Sequence, residues 1–168
     1  MFGLVLARVF TSVEALASAI AADLPKTAVV GIDGWTGVGK TTLAKALSGA
    51  LGGSMFDLDS ALNRDRGSYV PSLRLGEIAE ALTAPVGFLA VSGICLREVL
   101  LKAGREAHAH IYVKRMASWG WADEDELKGD ALSGLGSDGG SAVRREMRRY
   151  HASWRPHLKA NFEFHSHC

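Results

Sequence analysis

Residues 34–41 read Gly34-Trp-Thr-Gly37-Val-Gly39-Lys40-Thr41 and satisfy the spacing G-x-x-x-x-G-K-[ST]. Each position has a physical task around a polyphosphate. Glycines let the backbone turn tightly with its N–H groups pointing inward, and the helix that follows presents its positive dipole end to the same anion. Lys40 would bridge the β- and γ-phosphates, and the Thr41 hydroxyl would ligate Mg2+. Gly34, Trp35, Thr36, Gly37, Val38, Gly39, Lys40, Thr41 and Thr42 are the expected nucleotide-binding residues, with ATP and Mg2+ as the expected cofactors. Trp35 is large for such a loop, suited either to stacking on a ligand or to shielding the loop. The bare pattern should arise by chance in roughly 1% of chains of this length and glycine content, so coincidence is the minor explanation.

The loop needs a strand before it and a helix after it, and both are legible. Ala28 to Asp33 is a short, nearly all-apolar run, as a central parallel strand buried on both faces requires. From Lys40 the residues Leu43, Ala46, Leu47, Ala50 and Leu51 recur at helical spacing until Gly52-Gly53 stops them. The same alternation runs along the chain and predicts α/β architecture. A helix is expected from the capping-box spacing Thr11-Ser-Val-Glu14 to about Asp23. Further strands are expected over 54–59, 86–92, 109–114 and 160–165, with helices after Leu75 and from Cys95 to Leu101. Residues 60–72, polar and basic with Arg64 and Arg66, form a connection long enough to suggest function.

Composition closes off other classes. The 168 residues are 48% hydrophobic and 22% charged, which predicts one globular domain with a packed core. A formal charge of +1 gives no basic field for nucleic acid. No apolar run is long enough for a membrane span, the start is a poor signal peptide, and Cys95 and Cys168 make no disulfide framework, so a cytoplasmic protein is expected. His108 and His110 share a strand face without a third ligand, and His165, His167 and Cys168 sit at a terminus, so no metal centre is expected there. Trp119, Trp121 and Trp154 read as packing residues, and Cys95 as a small core residue.

Three uses of such a loop compete: a GTPase switch, a motor ATPase and a small-molecule kinase. The nearest approaches to the guanine-reading and switch motifs, Leu127-Lys-Gly-Asp130 and Ala90-Val-Ser-Gly93, each lack the deciding residue, and the chain leaves little room for a motor. The chain resembles the uridine kinase-like branch of P-loop small-molecule kinases. The resemblance runs through residues 31–44, Phe56-Asp-Leu-Asp-Ser60, residues 93–100 and the tail 150–162, and so spans most of the chain. It implies a single-domain P-loop fold over residues 1–168, with a five-stranded parallel sheet of order 2-3-1-4-5. It also implies transfer of the γ-phosphoryl group of MgATP to a hydroxyl of a small molecule, a nucleoside or similar metabolite first. In that family an Asp after strand 2 acts on the acceptor, and Asp59 matches it; a carboxylate there can accept the hydroxyl proton. Asp57 and Asp59, two apart on an expected strand, would face one side, one serving the acceptor and the other Mg2+; Thr41 and Asp59 are the expected metal residues. Strand 3 normally ends in an acidic residue, and this chain has Ser92.

Five glycines between Gly129 and Gly140 precede Arg144, Arg145, Arg148 and Arg149. That composition predicts a mobile stretch at 129–141 inside a lid of about 123–150, with Arg148 as the candidate to meet the transferring phosphoryl group. The competing reading is a solvated basic face paired with the acidic run 123–126. The expected partner is a small-molecule acceptor, without nucleic acid or membrane, for a monomer or homodimer. The alternative function is a nucleotide-binding regulatory protein, or a weak ATPase without an acceptor.

Overall fold

In the computed structural model the described residues are 6–63, 67–128 and 142–167. The all-apolar run after residue 28 becomes β2 (Val29–Gly34), buried along its whole length, and the helix-period run from Lys40 becomes α2 (Lys40–Leu51). Ahead of them lie β1 (Arg8–Phe10) and α1 (Val13–Asp23). After them come β3 (Ser54–Asp57), α3 (Leu75–Ala81), β4 (Leu89–Ser92), α4 (Leu96–Lys102) and β5 (Ala109–Ala117). The chain closes with β6 (Gly120–Trp121), α5 (Glu124–Lys128), α6 (Ala142–Trp154), α7 (Pro156–Lys159) and β7 (Phe162–His167). The predicted mobile stretch 129–141, together with Arg64, Arg66 and Cys168, lies outside the described residues.

The expected five-stranded sheet is corrected to seven strands, ordered β1-β7-β5-β2-β4-β3, with β6 paired to β5. Two short strands account for the difference. β1 runs parallel to β7 at the sheet edge, and β6 folds back antiparallel on the end of β5 through Gly120, whose φ of 136° a side chain would resist. All other pairings are parallel. The core lies on both faces of β2, β4 and β5, where Val30, Ile32, Ala90, Val91 and Ile111 have no exposure. Burial of each such aliphatic side chain contributes about 1.5–3 kcal/mol.

Of the element boundaries that differ from expectation, three have a visible physical cause. The first helix is capped by Ser12, whose Oγ accepts from Ala15 N at 3.1 Å and donates to Glu14, so the cap lies one residue after Thr11. β4 starts at Leu89, where the ladder to β2 and β3 begins, because Val86 stands fully in solvent. The third is at Asp57: the strand ends there, and residues 58–61 wind into a 3-10 turn. Asp57 and Asp59 therefore do not share a strand face.

Candidate active site

The tight turn from β2 into α2 is made by backbone that only glycine adopts easily: φ is 152° at Gly34, 71° at Gly37 and 96° at Gly39. A Cβ at Gly34 would also stand 2.8 Å from the Val113 carbonyl oxygen on β5. The loop thus starts against the sheet and ends at the positive end of α2. It encloses one side of a cavity of about 350 Å3.

Of the predicted nucleotide-binding residues, Thr36, Gly37, Gly39, Lys40, Thr41 and Thr42 line this cavity. Gly34, Trp35 and Val38 lie behind it. The Trp35 side chain is buried with its ring 5.7 Å from that of His151, so it shields the loop and is not exposed for stacking on a ligand. Val38 is buried too, and its carbonyl accepts from Ser166 Oγ at 2.9 Å, which ties the loop to the end of β7.

Lys40 is nine-tenths buried, and its Nζ donates to the carbonyls of Gly34 at 3.1 Å and Trp35 at 2.5 Å. Burial pushes its pKa down, and Asp33, Asp59 and Asp57 push it back up. The ammonium is therefore held at the rim of the phosphate loop by carbonyl dipoles and a ring of carboxylates.

A second part of the lining carries Asp57, Asp59, Leu62 and Tyr69. Asp57 has two tasks there. Its Oδ1 caps the 3-10 turn by accepting from Asp59 N at 3.0 Å, and its Oδ2 accepts from Thr41 Oγ1 at 2.9 Å. Asp59 Oδ1 accepts from the Tyr69 hydroxyl at 2.7 Å, and no described residue takes Oδ2. Burial and the Asp59 charge raise the Tyr69 pKa, so the phenol stays a donor.

Ser92 closes β4 directly beside Asp57 in register, fully buried and with its hydroxyl unpartnered among the described residues. The carboxylate that reaches Thr41 thus comes from β3, one strand over. The donors fit a Mg2+ site: hard oxygens from Thr41 and two nearby carboxylates on one cavity wall. Among the described residues no group of three or more His, Cys, Asp or Glu side chains could hold a metal ion; Mg2+ commonly keeps waters and takes phosphate oxygens beside one or two carboxylates. Of the expected metal residues, Thr41 donates to Asp57 and the Asp59 carboxylate accepts from Tyr69.

Arg148 does not line the cavity. Its guanidinium meets the Glu126 carbonyl at 3.2 Å and carboxylate at 3.3 Å, and Arg144 lies 3.8 Å from the same carboxylate. The basic face of α6 is turned to α5. The buried face of the same helix serves the site: Glu146 accepts from Tyr69 N at 2.7 Å and Val70 N at 2.9 Å, and Val143 lines the cavity. One turn on, Tyr150 donates to Asp33 Oδ2 and accepts from Arg97 N.

Asp33, Tyr69, Glu146 and Tyr150 were not singled out by spacing. Asp33 had a signal, a carboxylate ending an otherwise apolar buried strand, where a charge must find partners. It is 1% exposed and its pKa is raised to about 6, burial outweighing the lowering effects of Tyr150, Gly34 N–H, Lys40 and Arg97. The other three act across gaps of 10 to 117 residues, which no local pattern encodes.

No protein-family model and no curated protein matches the sequence. Two solved structures do match in shape. A possible uridine kinase from Bacillus stearothermophilus superposes with a TM-score of 0.58 at 14% identity, over 90% of this chain and 96% of its own. A candidate fructose transport system kinase from Silicibacter sp. TM1040 gives 0.50 at 15% identity, over 92% of this chain and 99% of its own. The chain has their fold. At these identities the likeness shows the α/β fold alone. Among the described residues no helix is long and apolar enough to cross a membrane.

Proposed function

We propose that this protein is an ATP-dependent phosphotransferase that moves the γ-phosphoryl group of MgATP to a hydroxyl of a small molecule. The observation that carries the reading is one cavity with two unlike parts to its lining: the phosphate loop with Lys40 and Thr41, and Asp59 with its Tyr69 donor. A hydrolase needs no second organic acceptor, whereas this second part offers a carboxylate oxygen beside apolar Leu62 and Ile94. A nucleoside-like acceptor is the first choice, supported by the fold shared with a protein described as a possible uridine kinase.

In this reading the acceptor hydroxyl lies against Asp59, which takes its proton as the oxygen attacks the γ-phosphorus. The bond from that phosphorus to the β–γ bridging oxygen breaks, and ADP leaves with the electron pair. Tyr69 holds Asp59 in place by its hydrogen bond. Lys40 exchanges its carbonyl partners for β- and γ-phosphate oxygens, and the loop N–H groups hold the remaining charge. Thr41 and Asp57 would hold Mg2+, which when bound neutralises charge on the β- and γ-oxygens. The buried links from Glu146 and Tyr150 keep the acceptor wall and the phosphate loop in fixed relation.

A second reading, a nucleotide-binding protein with feeble turnover, draws on Ser92, which leaves β4 without a terminal carboxylate. Asp57 weighs against it by supplying a carboxylate to Thr41 from the neighbouring strand. ADP release from MgATP with and without a panel of nucleosides, sugars and small alcohols separates the two. Stimulation by one acceptor class supports transfer, and nucleotide binding with a flat panel supports the binding protein.

A further inference from the structure

A second cleft, of about 410 Å3, opens between α4, the end of α6 and the starts of β5 and β7, and shares no lining residue with the phosphate-loop cavity. Its polar lining has an unusual bias. His108 Nδ1 accepts from Val29 N at 3.0 Å, so the neutral ring must carry its proton on Nε2. Asn161 Oδ1 accepts from His110 N at 2.8 Å, which fixes the amide orientation and leaves its NH2 group. His110 Nδ1 is buried without a partner, 2.9 Å from where a Cβ on Gly31 would stand. A buried N–H without an acceptor is the costlier arrangement, so this ring too keeps its proton on Nε2.

To these donors two cations are added. Arg97 spends one guanidinium nitrogen on the Lys159 carbonyl at 2.8 Å and has its Nε buried, and among the described residues neither that Nε nor Lys159 Nζ has a hydrogen-bond or ion-pair partner. Arg105 also lines the cleft, and each of its guanidinium nitrogens donates one bond, to Ala79, Gly104 and Thr83. Glu106 is the one acidic side chain in the lining, and Trp154 with Leu100 supplies an apolar wall. Each neutral polar side chain has its acceptor spent on backbone or sealed inside, which leaves donors and positive charge toward the ligand space.

We propose that this cleft is a second ligand site, for a small organic anion whose carboxylate or phosphate group meets His108, His110, Asn161 and Lys159 while its apolar body rests on Trp154. A rigid oxyanion accepts several N–H donors at once, and charge-assisted bonds of that kind are the strong ones. This inference is independent of the phosphotransferase reading.

The test is calorimetric titration of the full chain with phenyl phosphate, benzoate and inorganic phosphate. Wild type should bind phenyl phosphate or benzoate saturably at this site and more tightly than inorganic phosphate; whichever of the two organic probes binds tighter names the anion. Lys159→Glu, at an exposed side chain, should weaken that binding at least tenfold, and His110→Phe should do the same. Lys40→Ala should leave it unchanged. Loss in Lys40→Ala with retention in Lys159→Glu would assign the anion to the phosphate loop and overturn the proposal. So would the lack of saturable binding by either organic probe in wild type.

Discussion

The two walls of the main cavity are built on different principles. The phosphate wall is local: β2, the glycine turn and α2 bring Lys40 and Thr41 into place within a dozen residues, and chain geometry does the positioning. The acceptor wall is assembled from a distance. Asp59 is oriented by Tyr69, Tyr69 is held by Glu146 on α6, and α6 is anchored by Tyr150 to Asp33 at the root of the phosphate loop. The contrast teaches that, in the proposed function, nucleotide binding would rest on a motif, while the partner for chemistry would rest on tertiary hydrogen bonds that α6 carries.

The sharpest break in that comparison is Lys40→Ala. It removes a charge aimed at the transferring group and should lower the transfer rate by about 10²–10³-fold, the range for losing one preorganised electrostatic donor. The melting temperature should hold, because the ammonium bonds only its own loop. Asp59→Asn strikes the other wall and should lower kcat by about 10²–10⁴-fold, as for loss of a general base, with ATP affinity retained. A full rate in Asp59→Asn would remove that residue from the chemistry.

Glu146→Ala tests the long-range link. It leaves the N–H groups of Tyr69 and Val70 without their carboxylate, in a buried setting, and should cost about 2 kcal/mol in a denaturant melt. In steady-state kinetics the acceptor KM should rise more than the ATP KM, since the displaced segment carries Tyr69. An equal rise in both would mean that α6 supports the two walls alike.

The remaining effect concerns pH. Asp33 is fully buried, and its folded pKa of about 6 lies above its ordinary value of 3.8. A raised folded pKa means that this group's favourable share is complete below about pH 4 and is lost as pH rises through 6. The difference of about 2 units corresponds to about 3 kcal/mol. Asp33→Asn should remove that dependence, so wild type should lose about 3 kcal/mol relative to the variant between pH 4 and pH 7. A constant difference across that range would mean that Asp33 titrates alike in the folded and unfolded states.

Legibility in the sequence follows the same division. The phosphate loop, its strand and its helix could be read because spacing and periodicity act over a few residues. The edge strands β1 and β6 escaped because three-residue and two-residue segments carry too little pattern, and their pairing partners lie elsewhere in the chain. Asp57 and Asp59 were recognisable as chemistry-bearing, but their arrangement was not: a strand pattern places them on one face, whereas the turn at Leu58 separates them. Arg148, a candidate phosphate ligand by type, bonds Glu126, the pairing with the acidic run 123–126 that the sequence also offered. For Trp35 the sequence left stacking and shielding open, and its packing against His151 is the shielding arrangement.

The central claim is transfer to an organic hydroxyl, and ADP formation from MgATP tests it most directly. The assay compares wild type with Lys40→Ala across nucleosides, sugars and small alcohols, and identifies the phosphorylated product by mass. The account predicts that one class of hydroxyl compound raises ADP formation in wild type alone and gains one phosphoryl group per ADP released. ADP formation that stays at its basal rate across the panel, with phosphate and no phosphorylated acceptor as products, would contradict it.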